Sequence, residues 1–259
     1  MAALISAYSG YVALAFIPPL AWLAFYLHED RHPEPKHLIL ITFLAGILSA
    51  MAAVGVELAA FGRPPVFAGV FYRFLPAVLA MPTFLLVGVA VIEECLKYAA
   101  VRLTVLRRRE FDEPVDAMIY MVTAALGFAA IENVFFLVPL VGQSFGGHIE
   151  WGLFAGGLEL SVNRFLGANL LHALSSAIVG YALARHAFSP WRRHAVGAGL
   201  LAASILHAVF NYLIISKDVI PAAALLVTLL LAFMAINVFV DFERLKRANA
   251  KRPDPSAVL

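Results

Sequence analysis

A chain of 259 residues with 62% hydrophobic residues, 14% charged residues and a mean hydropathy of +0.86 has too little polar surface to clothe a soluble globule. A formal net charge of +2, with basic residues scattered between apolar runs, excludes nucleic acid as the partner. The single cysteine, Cys95, excludes an intrachain disulfide framework and reads as a packing residue.

A bilayer-spanning helix takes about 20 apolar residues. In chain order, runs of that kind occupy 4–27, 37–61, 83–106, 115–141, 160–184, 194–215 and 220–240. The first lacks the basic flank and small-residue cleavage site of a removable signal, so it reads as a retained span. Residues 66–80 are apolar but cut by Pro76 and followed by Pro82, which suggests a short interfacial or re-entrant segment. Turn chemistry separates the runs at His32-Pro33-Glu34-Pro35, Gly62-Arg63-Pro64-Pro65, Asp112-Glu113-Pro114, Gly146-Gly147 and Ser189-Pro190. Asp112 and Glu113 ahead of Pro114 also have the form of a helix start.

The expected fold is therefore all-α: one integral-membrane domain over 1–259, a polytopic bundle of about seven transmembrane helices with its core in the third to sixth. No internal repeat is evident, which weakens an inverted-repeat transporter. If the N-terminus faces outward, the inner loops and tail hold Arg31, Lys36, Arg102, Arg107, Arg108, Arg109, Arg185, Arg192, Arg193, Arg244, Lys246, Arg247, Lys251 and Arg252. The outer side holds only Arg63, Arg73, Arg164 and Lys217. That asymmetry predicts a multi-pass protein of the cell membrane with its N-terminus outside and its C-terminus in the cytoplasm, residues 243–259 forming a basic tail at the anionic leaflet.

The third run is interrupted by Glu93, Glu94 and Lys97. Each charged residue at the centre of a membrane helix costs roughly 2.5–3.5 kcal/mol, against about 0.3–0.6 kcal/mol returned by each good apolar residue, so this helix must turn its polar face to partners. Glu132, His172 and His207 lie within later runs, and a rise of about 1.5 Å per residue brings all of them to the central or outward half of the membrane. Taken singly, such groups have plain readings. Glu57 reads as a structural group near a helix end, His148 and His194 as solvated, and Glu93 with Lys97 as an i,i+4 ion pair. Ionisable groups from four helices at similar depth point instead to a site.

The string Glu93-Glu94-Cys95-Leu96-Lys97 resembles the E-E-x-x-K motif of the PrsW-type intramembrane proteases. The resemblance continues through the Asp30, Pro33, Glu34 and Pro35 loop, Pro114-Val115-Asp116, Gly127 to Asn133, Arg164 followed by His172, and His207-Ala208-Val209-Phe210-Asn211. It implies an endopeptidase that cuts a membrane-anchored protein within the bilayer, in the superfamily of the CAAX proteases and bacteriocin-processing proteins. It further implies regulated proteolysis of an anti-sigma factor in a stress response. Seven helices exceed the minimal family core.

Peptide hydrolysis needs an activated water, a donor to the oxyanion and an acid for the leaving amine. Glu93 and Glu94 point about 100° apart around a helix, so one faces the reaction as base while the other, with Lys97, ties the helix to its neighbours. Motif position favours Glu93 as base. Glu132 and His172 would position the water, and His207 with Asn211, one turn on, would bind the oxyanion; Asn133 and Arg164 are supporting residues by resemblance. No metal is required, yet zinc stays open, with Glu132, His172 and His207 as ligands and Glu93 as base. Against zinc, no helix carries an H-E-x-x-H pair. Rivals of other classes are a proton-coupled transporter and a non-catalytic scaffold; the acidic pair, both histidines and Asn211 speak against the scaffold. Nothing in the sequence sets the oligomeric state.

Overall fold

The computed structural model describes residues 2–30, 32–61, 82–143, 151–188 and 194–249. The re-entrant segment expected at 66–80, His148, the loops at 62–65, 146–147 and 189–190, and tail residues 250–259 lie outside the described residues.

All regular structure among the described residues is helical: α1 (Ala2–His28), α2 (Lys36–Phe61), α3 (Pro82–Thr104), α4 (Asp116–Gln143), α5 (Trp151–Arg164), a π-helical turn (Phe165–Asn169), α6 (Leu170–Ala187), α7 (Ala195–Ile215) and α8 (Ala223–Asn249). Membrane hydrocarbon leaves no water to satisfy backbone groups, and helices satisfy them internally. Six stretches are long and apolar enough to cross a bilayer: Ser9–His28, Lys36–Ala60, Asp116–Leu137, Ala155–Ala187, Ala195–Ile215 and Ala223–Ala248. The seventh expected span is α3, 23 residues long, whose Glu93, Glu94, Lys97 and Arg102 lower its apolar character. The fifth expected run, 160–184, belongs to a longer rod in which α5, the π turn and α6 follow without a break. Arg164, expected toward the outer side, thus lies inside a helical rod and is buried.

α4 is the hub, and every residue from 116 to 130 is buried. Such all-round burial suits a helix that is apolar on every face. α1, α2 and α6 pack on α4, α3 lies against α2 and α7, and α8 covers α6 and α7. Small residues set the closest crossings. A Cβ on Gly46 would overlap the Ala124 carbonyl oxygen, and one on Gly127 would overlap that of Phe43, so α2 and α4 meet backbone to backbone. Just beyond this crossing, Ala50 and Ala53 of α2 enclose Phe128 of α4 together with Ile92 and Leu96 of α3.

At the end of the bundle where α1 passes into α2, polar contacts tie the loops together. The Asp116 carboxylate accepts from the backbone N–H groups of Asp112 (3.0 Å) and Glu113 (2.7 Å), so α4 starts at Asp116, two residues beyond Pro114. The Tyr120 hydroxyl donates to Glu34, and His32 Nδ1 lies 2.9 Å from Glu113. Burial pushes the Asp30 and Glu34 carboxyls above their ordinary values; Tyr120's hydrogen bond opposes the shift at Glu34. Lys246 of α8 bridges Glu29 (2.8 Å) and Glu243 (3.2 Å), so the first part of the expected tail is the end of a docked helix.

Candidate active site

α3 opens with Pro82 at its first position, where a missing N–H costs nothing, and carries its acids about three turns further in. Glu94 and Lys97 are wholly buried and Glu93 is 7% exposed, so the price of three charges in an apolar helix must be met by partners. Those partners come from α4, α6 and α7. Glu94 Oε1 accepts from Lys97 Nζ (2.9 Å), Ser175 Oγ (2.9 Å) and His207 Nδ1 (3.0 Å), while its Oε2 accepts from Ser176 Oγ (3.1 Å). Both oxygens of the buried carboxylate are thereby hydrogen-bonded.

Lys97 Nζ also donates to His172 Nδ1 (2.8 Å), lies 3.5 Å from Glu93 Oε2, and stands 4.5 Å above the Phe128 ring. An ammonium can only donate, so His172 Nδ1 is an acceptor and the ring carries its hydrogen on Nε2, which donates to Glu132 Oε2 at 2.8 Å. A carboxylate only accepts, so His207 gives its Nδ1–H to Glu94, and in the neutral ring the lone pair is then on Nε2, 3.7 Å from Glu93 Oε2. The two imidazoles stand edge to face with centroids 5.1 Å apart. Arg164 Nη2 shares Glu132 Oε2 at 2.8 Å, its Nε donates to Asn133 Oδ1, and its guanidinium lies 4.3 Å from the Phe136 ring.

Glu93 is less fully bonded than Glu94. Its Oε2 is buried and has no hydrogen-bond partner among the described residues, though it lies 3.5 Å from Lys97 Nζ, 3.7 Å from His207 Nε2 and 4.0 Å from His172 Nδ1. Asn211 is half-buried on α7, one turn beyond His207, with no hydrogen bond to the cluster among the described residues. Glu57 on α2 has one buried oxygen without a partner among the described residues. Cys95, expected as packing, is exposed: it sits one residue, about 100°, around α3 from inward-facing Glu94. His194 is exposed at the start of α7.

Three residues of the constellation carried no weight in the sequence, Asn169, Ser175 and Ser176, and Phe128 entered only within the Gly127 to Asn133 string. The serines follow His172 at i+3 and i+4, the spacing that puts them on its face, and that spacing was the available signal.

The donor set also bears on a metal. Glu93, His172 and His207 each offer one ligand atom, all within 4.8 Å of one another, and a Glu93 oxygen without a hydrogen bond among the described residues is the kind of group a cation satisfies. The carboxylate of this triad is Glu93, whereas the expected ligand Glu132 lies behind His172, on its Nε2. Glu132 and Glu94 occupy the places of the outer carboxylates that orient metal-binding imidazoles. The residues thus fit a zinc-type ion, provided that Lys97 gives up His172 Nδ1.

Residues 34–239 match the family model described as PrsW family intramembrane metalloprotease. The chain is 28% identical to protease PrsW of Geobacillus kaustophilus over 209 residues, 80% of each chain. It is 24% identical to protease PrsW of Oceanobacillus iheyensis over 236 residues, covering 90% of this chain and 93% of the relative. Against protease PrsW of Bacillus subtilis the identity is 25% over 242 residues, covering 92% and 95%. No solved structure matches the chain at a significant level. With a match that runs from the first loop into the last helix and takes in every member of the Glu93 cluster, the chain belongs to the PrsW family of intramembrane metalloproteases.

Proposed function

We propose that this peptidase cleaves a single-pass membrane protein with Glu93 as the base that activates water. The observation that carries this reading is the contrast between the two acids: Glu94 has both oxygens hydrogen-bonded, whereas Glu93 Oε2 is buried, has no hydrogen bond among the described residues and is turned toward both imidazoles. A water between Glu93 Oε2 and His207 Nε2 can donate to both. As its oxygen attacks the scissile carbonyl carbon, Glu93 takes its proton and returns it to the leaving amine nitrogen when the C–N bond breaks. Glu94 fixes the His207 tautomer, and the Glu132–Arg164 pair fixes that of His172. Because that tautomer makes His207 Nε2 an acceptor, donation to the oxyanion falls to the Asn211 amide.

Metal dependence is a second reading, favoured by the closeness of Glu93, His172 and His207. A zinc-type cation held by those three residues would supply Lewis-acid polarisation and a more acidic water. Both readings draw on the same Glu93 oxygen, so metal analysis of the purified protein with activity under chelation separates them. The resemblance supports an anti-sigma factor as substrate, and the basic residues support an outward N-terminus and a cytoplasmic C-terminus.

The test is cleavage of a single-pass peptide by reconstituted protein. Glu93→Gln should abolish cleavage with the melting temperature held, whereas Glu94→Gln should lower both. Cleavage by Glu93→Gln at the wild-type rate would overturn the assignment.

A further inference from the structure

Arg164 settles the orientation of two amides. A guanidinium only donates, so the atom of Asn133 that bonds Arg164 Nε is the carbonyl oxygen. Asn133 Nδ2 then donates to the Ala15 carbonyl (2.9 Å) and to Asn169 Oδ1 (3.1 Å). The Asn169 amide nitrogen is thereby assigned as well. It has no acceptor among the described residues, although Asn169 is wholly buried. A buried donor without a partner lowers stability, and native proteins keep few of them.

Asn169 ends the π turn and sits three residues before His172, on the same side of the helix. Its partner Asn133 adjoins Glu132, which holds His172 Nε2. The unused amide therefore belongs to the catalytic constellation. The widened turn is otherwise supported, since Trp22 Nε1 donates to the Phe165 carbonyl (2.9 Å) and stacks on the Phe165 ring. π turns of this sort occur often at functional sites.

We infer that the Asn169 amide donates a hydrogen bond to a backbone carbonyl of the substrate. This rests on the assignment of the Glu93 cluster as the active site. A substrate that is helical throughout has its carbonyls engaged internally, so such a donor selects a stretch that is already unwound, whatever its side chains. The preferred ligand is thus an extended segment of a membrane-embedded peptide, held by its main chain on the His172 side of the cluster.

The test uses the full chain in proteoliposomes with a fluorogenic single-pass peptide and analogues in which one backbone amide at a time, outside the scissile bond, is replaced by an ester. An ester weakens the neighbouring carbonyl as an acceptor. For the wild type, one ester position should lower kcat/KM by about tenfold, the scale of a single hydrogen bond. Asn169→Ala should lower kcat/KM on the all-amide peptide by a similar factor, lose sensitivity at that position alone, and melt at or above the wild-type temperature. Asn133→Ala, which removes the bond that orients the Asn169 amide, should blunt the sensitivity at that same position. Additive losses at every position, a melting temperature that falls in step with activity, or an unchanged kcat/KM in Asn169→Ala would each overturn the inference. Cleavage by Glu93→Gln in the same assay would instead remove the active-site assignment beneath it.

Discussion

Lys97 is the residue on which the electrostatics of the cluster turn. Its ammonium is enclosed by Glu94, His172 and the face of Phe128, with no exposure to solvent. Removing one partner of a buried ion pair leaves the other charge uncompensated, so Lys97→Met should destabilise the protein by about 3–5 kcal/mol. Denaturant titration in detergent measures this, and the double variant Lys97→Met/Glu94→Gln should recover much of the loss. A single variant as stable as the wild type would mean that Glu94 is held adequately by the serines and His207. At this scale the sequence located the ionisable residues well, because Glu93, Glu94, Lys97, Glu132, His172 and His207 each interrupt an apolar run. It could not say which carboxylate serves which ring. Helical rise fixes the height of a residue but not its direction across the bundle, so Glu132 stood in for Glu93 in the expected metal set. Ser175 and Ser176 stayed hidden because a hydroxyl in a helix can bond its own backbone and so carries no signal of a distant partner.

The helices themselves were readable from apolar length, but their meeting points depend on glycines whose role is visible only in contact. Gly46 and Gly127 let the backbones of α2 and α4 touch, and that crossing precedes the Ala50–Ala53–Phe128 cluster that positions the Phe128 ring over Lys97. Gly46→Ala forces a methyl group into a carbonyl that belongs to the hub helix. It should cost about 1–3 kcal/mol, as overpacking does in a filled core. A melting curve in detergent checks this, with Gly55→Ala as control because a Cβ there meets nothing within 4 Å. Equal melting of the two variants would show that α2 can shift freely. The fifth run was misjudged in length rather than kind. Gly156, Gly157 and Glu159 interrupt its apolar pattern, but a backbone in hydrocarbon has every reason to continue its hydrogen bonding past them, and the helical rod begins at Trp151.

On the scale of the whole molecule, the polar groups that serve the site oppose the insertion of the helix that bears them. Three charged residues at about 2.5–3.5 kcal/mol each offset most of what the apolar residues of α3 return. Residues 82–104 presented alone as a test segment should therefore insert in only a minority of chains, while the same segment in the full protein should be membrane-protected. Glycosylation mapping in microsomes reads both. Efficient insertion of the isolated segment would show that partners are not needed. α3 thus depends on α4, α6 and α7 for its place in the membrane, and the acidic pair depends on the same helices for its geometry, so assembly and chemistry share one set of contacts.

Cys95 offers direct access to that dependence. It is the sole thiol in 259 residues and lies on the outward side of α3, next in sequence to Glu94 but turned away from it. An environment-sensitive dye or spin label attached there would follow the surroundings of this helix in the otherwise natural chain, without first stripping competing sulfhydryls or introducing a reporter among the acids.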